Sequence, residues 1–518
     1  MDAENPDKII FVRRLSSLVP RNKDFFFCGL TAILLILAFP KTDFWILAFF
    51  AFIPLFTALD RAGASRAFLL GIVTGIIFFA GTLYWFIHVT YVGAVLIVLY
   101  CSLYFGVFAF LYRYARGFSP YKRMLFICSC WVALEFARAN LLSGFGWASL
   151  GYSQYTNLAF IQMADVTGVF GVSFAVMFVN IALKEAVDRS RSKENAFVPL
   201  VLIVLVVGLA VLYGQYRLGQ KPSTAAFSVS VIQANIPQEL KWYEPAWQDI
   251  FDKYFILTRQ AALDDPDLIV WPETAFPGYI GEHDVEFDQL RAFVGSLGIP
   301  LLVGSVVTDA KQYYNSAVLL DEKGMILKQY DKLHLVPFGE YIPFRRWFPF
   351  LSQIVPIADF TPGDEFVLFS HPAFSGAFNV LICFEDSVSG LSREFAQRGS
   401  QLFINITNDA WFKDTKAPFL HLQSSVFRAV ENRRSVIRSA NTGISAFIGT
   451  DGSVKKVLSD ASGRSTYISG FIQEKIMLND KLSWYTRYGD MFSYAAFLLM
   501  LVLIFQRQMK PVLKRQRS

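Results

Sequence analysis

Long uncharged apolar runs fill the first 215 residues of this chain and one more closes it, leaving a polar stretch of about 275 residues between them. That distribution excludes a soluble protein of two or three domains, because a water-soluble core cannot absorb so much continuous apolar sequence. Composition agrees: of 518 residues, 54% are hydrophobic and 17% charged, and the mean hydropathy is +0.39. Candidate spans lie at 25–39, 44–59, 67–87, 92–112, 124–137, 166–183, 197–213 and 491–505. Several fall short of the roughly 20 residues that cross a hydrocarbon core, so charge placement has to support the assignment.

Arg13, Arg14, Arg21 and Lys23 precede the first run, and Arg61 and Arg66 follow the second. Arg113, Arg116, Lys122 and Arg123 follow the fourth, Lys184, Arg189, Arg191 and Lys193 the sixth, and Arg507, Lys510, Lys514, Arg515 and Arg517 the eighth. The positive-inside rule makes all these segments cytoplasmic, while the connections around His88 and at 141–165, which lack Lys and Arg, face the other side. Eight spans then put both termini inside and the polar segment outside. The expected organisation is a cytoplasmic N-terminus (1–24), a seven-span helical membrane domain (25–215), an exported domain (226–478), a final span (490–506) and a basic tail (507–518). The net charge of +6 is accordingly topological and not a nucleic-acid footprint. No cleavable signal peptide is visible, and the first helix is expected to act as its own export signal.

The polar segment reads as short β-rich runs at 227–234, 267–271, 300–304, 316–320, 378–383, 402–406, 436–439 and 445–449, with helical stretches at 247–263, 284–297 and 417–433. Several strands are continuously apolar, as strands buried on both faces are, which indicates layered α/β. A Gly-rich phosphate loop after the first strand is missing, so a simple dinucleotide-binding fold is not expected.

Cys28, Cys101, Cys128 and Cys130 fall in candidate spans, where cysteine serves as a small apolar residue. The Cys128-Ser-Cys130 spacing does not match usual metal-ligand spacings and has no histidine beside it; no metal and no cofactor are expected. Cys383, in Asn379-Val-Leu-Ile-Cys-Phe-Glu-Asp386, is the only cysteine of the polar segment. An unpaired thiol in an oxidising compartment is a liability unless it reacts. Ordinary thiols, with a pKa near 8.5, are only about 3% ionised at neutral pH, so a nucleophile needs a base or a cation nearby. Glu273, in Trp271-Pro-Glu-Thr-Ala-Phe-Pro277, can take and return the proton. Lys332, in Tyr330-Asp-Lys-Leu-His-Leu-Val-Pro-Phe-Gly-Glu-Tyr-Ile-Pro343, can hold an oxyanion. Singly, each has a structural alternative: a solvated loop acid, a surface cation and a buried strand-end cysteine.

In this order, these three blocks resemble the carbon-nitrogen hydrolase (nitrilase) superfamily, and with the flanking spans they resemble its apolipoprotein N-acyltransferase family over nearly the whole chain. Gln233-Ala-Asn-Ile-Pro-Gln238 with Lys241 and Trp242, Asn408-Asp-Ala-Trp-Phe412, Arg438-Ser-Ala-Asn-Thr-Gly443 and Trp484-Tyr-Thr-Arg-Tyr-Gly489 support the match. Phe384 stands where some relatives carry tyrosine. The resemblance implies an exported αββα sandwich on a helical membrane domain, with a Glu273-Lys332-Cys383 triad. It implies ping-pong transfer of an acyl chain from a phospholipid, expected to be phosphatidylethanolamine, through a Cys383 thioester to the α-amine of a diacylglyceryl-cysteine apolipoprotein. It further implies a monomer in the inner membrane of a Gram-negative-type bacterium, with the catalytic domain periplasmic.

Glu340, eight residues after Lys332, is expected to orient that ammonium, as a second carboxylate does in the superfamily, and Glu385 to support the thiol or the oxyanion side. Each can equally be a structural salt-bridge partner. Trp242, Trp411, Tyr341, Phe344 and Trp347 are candidate substrate contacts, the last three within an aromatic and basic stretch at 341–362 that reads as a lid or a membrane-packing loop. The competing functional reading is a membrane-anchored amidase using the same triad on a small amide; a transporter is disfavoured by the near absence of ionisable residues in the spans.

Overall fold

Two kinds of sequence build two units. The computed structural model describes residues 22–220, 226–310, 312–342, 345, 359–371 and 374–515. One unit comprises Met1–Met163, Thr167–Gly214 and Asp490–Ser518, the other Ala164–Val166 and Gln215–Gly489.

Five of the eight expected spans are helices long and apolar enough to cross a membrane: Ala64–His88, Tyr91–Gly117, Ala164–Arg191, Phe197–Leu218 and Met491–Met509. The run at 25–39 lies in a 17-residue helix, Asn22–Ala38. The run at 124–137 lies in Pro120–Asn140, which also carries Lys122, Arg123, Glu135 and Arg138. The run at 44–59 is not one helix but a 3-10 turn, Trp45–Phe49, followed by Ile53–Leu59. Pro54 explains the break, because it has no N–H to donate to a preceding turn and instead starts the new helix.

Small residues let the helices of this unit approach closely. A Cβ at Gly75 would lie 2.8 Å from Ser102 Cα, so the helices Ala64–Leu83 and Tyr91–Tyr114 touch backbone to backbone. Phe52, Phe108 and Trp131 fill the space beside them edge to face, with ring centroids of Phe52 and Phe108 4.9 and 4.8 Å from Trp131. Asp60 gathers Lys184 at 2.6 Å, Arg123 at 3.1 Å and the Tyr112 hydroxyl at 3.1 Å, bringing together the ends that the charge pattern assigns to one side. Glu135 and Arg138 both turn to the following loop: Arg138 donates to the carbonyls of Phe145 and Trp147 at 2.9 and 2.7 Å, and Glu135 accepts from Leu150 N at 2.6 Å.

In the second unit, one sheet runs β13 (Gly470–Met477), β1 (Ala226–Gln233), β2 (Leu268–Val270), β4 (Leu301–Asp309), β5 (Gln312–Leu320) and β6 (Ile326–Asp331), with β3 (Tyr279–Ile280) beside β4. The other runs β12 (Val454–Val457), β11 (Ala446–Ile448), β10 (Ser435–Ala440), β9 (Ser400–Thr407), β8 (Phe374–Ile382) and β7 (Phe369–His371). The sheets face each other: Ser439 of β10 donates to the Val270 carbonyl of β2 at 3.2 Å, and Ser445 to Gln233 at 2.6 Å. Helix Trp247–Ala262 lays Ile250, Phe251, Tyr254, Phe255 and Ala261 on the outer face of the first sheet, spaced three and four apart as an amphipathic helix requires. Trp271 is fully buried under it and donates its indole N–H to Thr258 at 2.9 Å. Helices Ser389–Gln397 and Ala417–Asn432 cover the second sheet, completing the αββα sandwich.

Strands β1, β2 and β4 are mutually parallel, as are β8, β9 and β10, so their carboxyl ends form rims where loops can carry chemistry. Glu273 follows β2, and its turn rests on Gly304 of β4, where a Cβ would lie 2.7 Å from Glu273 Cα and closer still to the Pro272 carbonyl. Gly304→Ala should therefore displace the Glu273 turn and cost about 1–3 kcal/mol. Thermal unfolding of the detergent-solubilised variant checks this; an unchanged Tm with full activity would mean that the turn yields freely.

Candidate active site

Three strand ends deliver the three expected residues to the same rim: Glu273 three residues past β2, Lys332 directly after β6, and Cys383 directly after β8. Lys332 Nζ lies 2.8 Å from Glu340 Oε1 and 3.7 Å from Glu273 Oε1. Asn315 of β5, which sequence reasoning missed, donates through Nδ2 to both carboxylates, at 2.8 Å to Glu273 and 2.7 Å to Glu340. It lies one residue before the β-run expected at 316–320, and an amide buried there needs partners. Glu273 Oε2 accepts from the backbone N–H of Asn408 at 2.9 Å, which orients the carboxylate from both sides. Glu340 Oε2 caps its own loop through Val336 N at 2.8 Å. All are nearly inaccessible: Lys332 is 1% exposed, Asn315 3%, Glu273 7% and Glu340 9%.

Burial opposes the Lys332 ammonium, but Glu340 and then Glu273 more than offset it, so its pKa is raised and the charge persists at any ordinary pH. Burial, reinforced by the Glu273 carboxylate, pushes the Cys383 thiol well above its ordinary range, with Lys332 opposing. At rest Cys383 is therefore a thiol near the Glu273 carboxylate. Cys383 has φ +53°, a left-handed conformation uncommon for a side chain with a Cβ, and Glu385 holds the elbow. Glu385 accepts from Ile382 N at 2.7 Å, Leu333 N at 2.8 Å, His334 N at 3.0 Å and the Tyr330 hydroxyl at 2.9 Å. It thus joins the nucleophile turn to the loop that follows Lys332. Burial raises its pKa to about 7, against the pull of Lys332.

Lys241 completes the support of the Glu273 turn, donating to the carbonyls of Glu273 and Thr274 at 3.1 and 3.0 Å while Thr274 sits at φ +47°. Its pKa falls to about 7 through burial, with Glu273 opposing. The motif around Asn235 and the asparagines of the second sheet interlock: Asn408 donates to Gln238 at 2.7 Å, and Asn441 to Asn408 at 3.0 Å and the Ile236 carbonyl at 2.8 Å.

Trp242 is 43% exposed, with its ring 5.7 Å from Tyr279, and Trp411 is 51% exposed. Tyr341 is half-buried, and its carbonyl accepts from Phe338 N at 2.8 Å. Phe344 and Trp347, with most of the 341–362 stretch, lie outside the described residues. Phe384 stacks its ring at 6.1 Å from His334.

A thiol, a base and a cation on the rim of an αββα sandwich define a domain of the carbon-nitrogen hydrolase type, and residues 228–469 match that family; residues 31–182 match the apolipoprotein N-acyltransferase N-terminal domain. The chain is 37% identical over 499 residues to the apolipoprotein N-acyltransferase of Geobacter metallireducens, covering 92% of this chain and 94% of that protein. It is 33% identical to that of Allorhizobium ampelinum, covering 81% and 84%. A solved amidase from Nesterenkonia sp. is 19% identical, with a TM-score of 0.39 over 53% of this chain and 98% of the amidase. The chain belongs to the apolipoprotein N-acyltransferase family.

Because Glu273 disfavours the thiolate, Glu273→Gln should make the Cys383 thiol more acidic while removing the base. At pH 8 this variant should alkylate faster with iodoacetamide than wild type, yet fail to acylate. Slower alkylation, read by peptide mass spectrometry, would mean that Glu273 activates the resting thiol.

Proposed function

We propose that this bacterial membrane protein transfers an acyl chain from a membrane phospholipid to the α-amine of a diacylglyceryl-modified N-terminal cysteine of lipoproteins, by way of a thioester on Cys383. The observation that carries the reading is the half-buried Cys383 thiol, its pKa held above the ordinary range, beside Glu273 and Lys332 in a chain of this family.

In the first half-reaction, Cys383 Sγ attacks the ester carbonyl as its proton passes to Glu273. Lys332 faces the oxyanion, whose collapse expels the lysophospholipid alkoxide, and that leaving oxygen takes the proton back from Glu273. In the second half-reaction, the lipoprotein amine attacks the thioester, Glu273 accepts a proton from the amine, and the departing thiolate recovers it. A fixed cation contributes about 2.7–4 kcal/mol to such a transition state. Glu340 and Asn315 hold Lys332 and Glu273 in place throughout, and Glu385 holds the elbow.

The donor proposed is phosphatidylethanolamine. The proposed setting is the inner membrane, with the catalytic domain on the periplasmic side and the protein acting as a monomer. Support for the orientation comes from the Lys and Arg placement, which gathers the basic clusters before the first run and after the second, fourth, sixth and eighth on one side of the spans. Trp242, Trp411 and Tyr341 are proposed substrate contacts; the exposure of the two tryptophans supports this, since a core role would bury them.

Incubation of the purified protein with phosphatidylethanolamine should leave a hydroxylamine-labile acyl group on the Cys383 peptide. A diacylglyceryl-cysteine peptide should discharge it at least about 100-fold faster than water does. Cys383→Ala should abolish transfer with the fold intact. A free thiol after incubation, or a thioester that water discharges as fast as the peptide, would favour an amidase acting on a small amide.

A further inference from the structure

Behind the nucleophile lies a second ionisable cluster that the transfer steps above do not use. Helix Ala417–Asn432 carries His421, which is 1% exposed. Its Nδ1 lies 3.2 Å from Asp409 Oδ1, and its Nε2 lies 3.0 Å from Asp386 Oδ1 and 3.1 Å from the carbonyl oxygen of Cys383. Both carboxylates are fully buried. A neutral imidazole has one N–H and one lone pair, so it can satisfy only one of these carboxylates and must turn its lone pair on the other. With both carboxylates ionised, favourable contact with each requires the imidazolium.

We propose that His421 is a positioning residue for the nucleophile: as an imidazolium clasped between Asp386 and Asp409, it fixes the Cys383 carbonyl and neutralises the carboxylates behind the thiol. This rests on Cys383 being the nucleophile. The fixing has a clear object, since Cys383 occupies a left-handed conformation and its carbonyl also accepts from Asn405 Nδ2 at 3.0 Å. With Sγ and the carbonyl leaving the same residue, a carbonyl held by two donors limits how far the elbow can relax.

Neutralisation follows from counting charges. Facing the ring are Asp386 and the Cys383 turn from 383–387, Asp409 from 409–412, and Arg438 from β10, with the Ser425 hydroxyl on the same helix. Arg438 donates to Asp386 Oδ2 at 2.8 Å and to Ser425 at 2.7 Å. Two carboxylates and two cations balance; with His421 neutral, one buried negative charge is left over. Asp409 already acts against ionisation of the Cys383 thiol, so that charge would raise the barrier to forming the thiolate. Burial and, to a smaller extent, Arg438 oppose the imidazolium, but the charge and hydrogen bond of Asp386 with the hydrogen bond of Asp409 together outweigh them, and the pKa of His421 rises to about 9. The charge is thus present through neutral pH and is lost as pH passes that value.

The test uses full-length protein in detergent micelles and two readouts: iodoacetamide alkylation of Cys383 between pH 6 and 10, which needs no acyl substrate, and acyl transfer over the same range. Wild-type transfer should fall as pH rises past about 9. His421→Gln, which keeps a donor without the charge, should lack that alkaline limb and transfer about 10- to 100-fold more slowly at pH 7. Its alkylation should also slow, and adding Asp409→Asn should restore it, as a purely structural role would not. Asp409→Asn alone should lower the His421 pKa and move the limb to lower pH, which decides the matter if His421→Gln fails to fold. A folded His421→Gln with wild-type alkylation and an unchanged limb, or a limb that Asp409→Asn leaves in place, overturns the proposal. If wild type forms no thioester with phospholipid, the function reading fails while the alkylation profiles still judge His421.

Discussion

The ammonium of Lys332, buried to 1% exposure between Glu340 and Glu273, is the constraint on which the site depends. Moving one such charge out of water costs several kcal/mol, so the fold tolerates it only with carboxylates in contact. Glu340 makes the short contact and Glu273 the longer one, and Asn315 bridges the two acids so that neither can rotate toward the lysine alone. The division of labour follows from the distances. Glu340, at 2.8 Å, makes the ion pair that holds the cation, whereas Glu273, at 3.7 Å, is less tightly engaged by it and is oriented instead by Asn315 and Asn408, which suits the proton exchange proposed for it. The bland alternative for Glu340, a structural salt-bridge partner, and the functional one are here the same interaction.

Cys383, the proposed nucleophile, is tied to that pair from the opposite sheet. Glu385 belongs to the turn after β8, yet two of its hydrogen bonds come from Leu333 and His334, in the loop immediately after Lys332, and another from Tyr330 on β6. One carboxylate therefore sets the register between the two strand ends that carry the cation and the thiol. Asn408 does the same between β9 and the Glu273 turn. Cross-sheet bonds of this kind make the site a property of the sandwich and not of any single loop.

Much of this was legible because the chemistry-bearing residues sit in dense local motifs at strand ends. The buried strands β2, β4, β8 and β9 announced themselves as short apolar runs, and β1 by its alternation. Strand β6 did not: Ile326, Leu327 and Lys328 are exposed on an edge, so burial imposes no pattern there. The run at 44–59 was apolar enough for a span, but hydropathy does not register the backbone effect of Pro54. Asn315, Asp386 and His421 escaped for a different reason. Each acts through partners far along the chain, 25 to 42 residues for Asn315 and 35 for the His421–Asp386 contact, and composition carries no trace of such pairings.

A resting thiol held above its ordinary pKa looks at first like a poor nucleophile, yet it suits the proposed setting. Thiolates are the species that oxidise and exchange with disulfides, so a free cysteine outside the cytoplasm is protected by staying protonated. Protection must not become inactivity. Glu273 disfavours the thiolate at rest and in the proposed mechanism accepts its proton during attack, so the anion need exist only while a carbonyl carbon is there to receive it. The enclosure that raises the pKa also strengthens the interaction of Lys332 with the oxyanion that replaces the thiolate charge. The same burial thus silences the thiol between turnovers and favours the charge that develops during them.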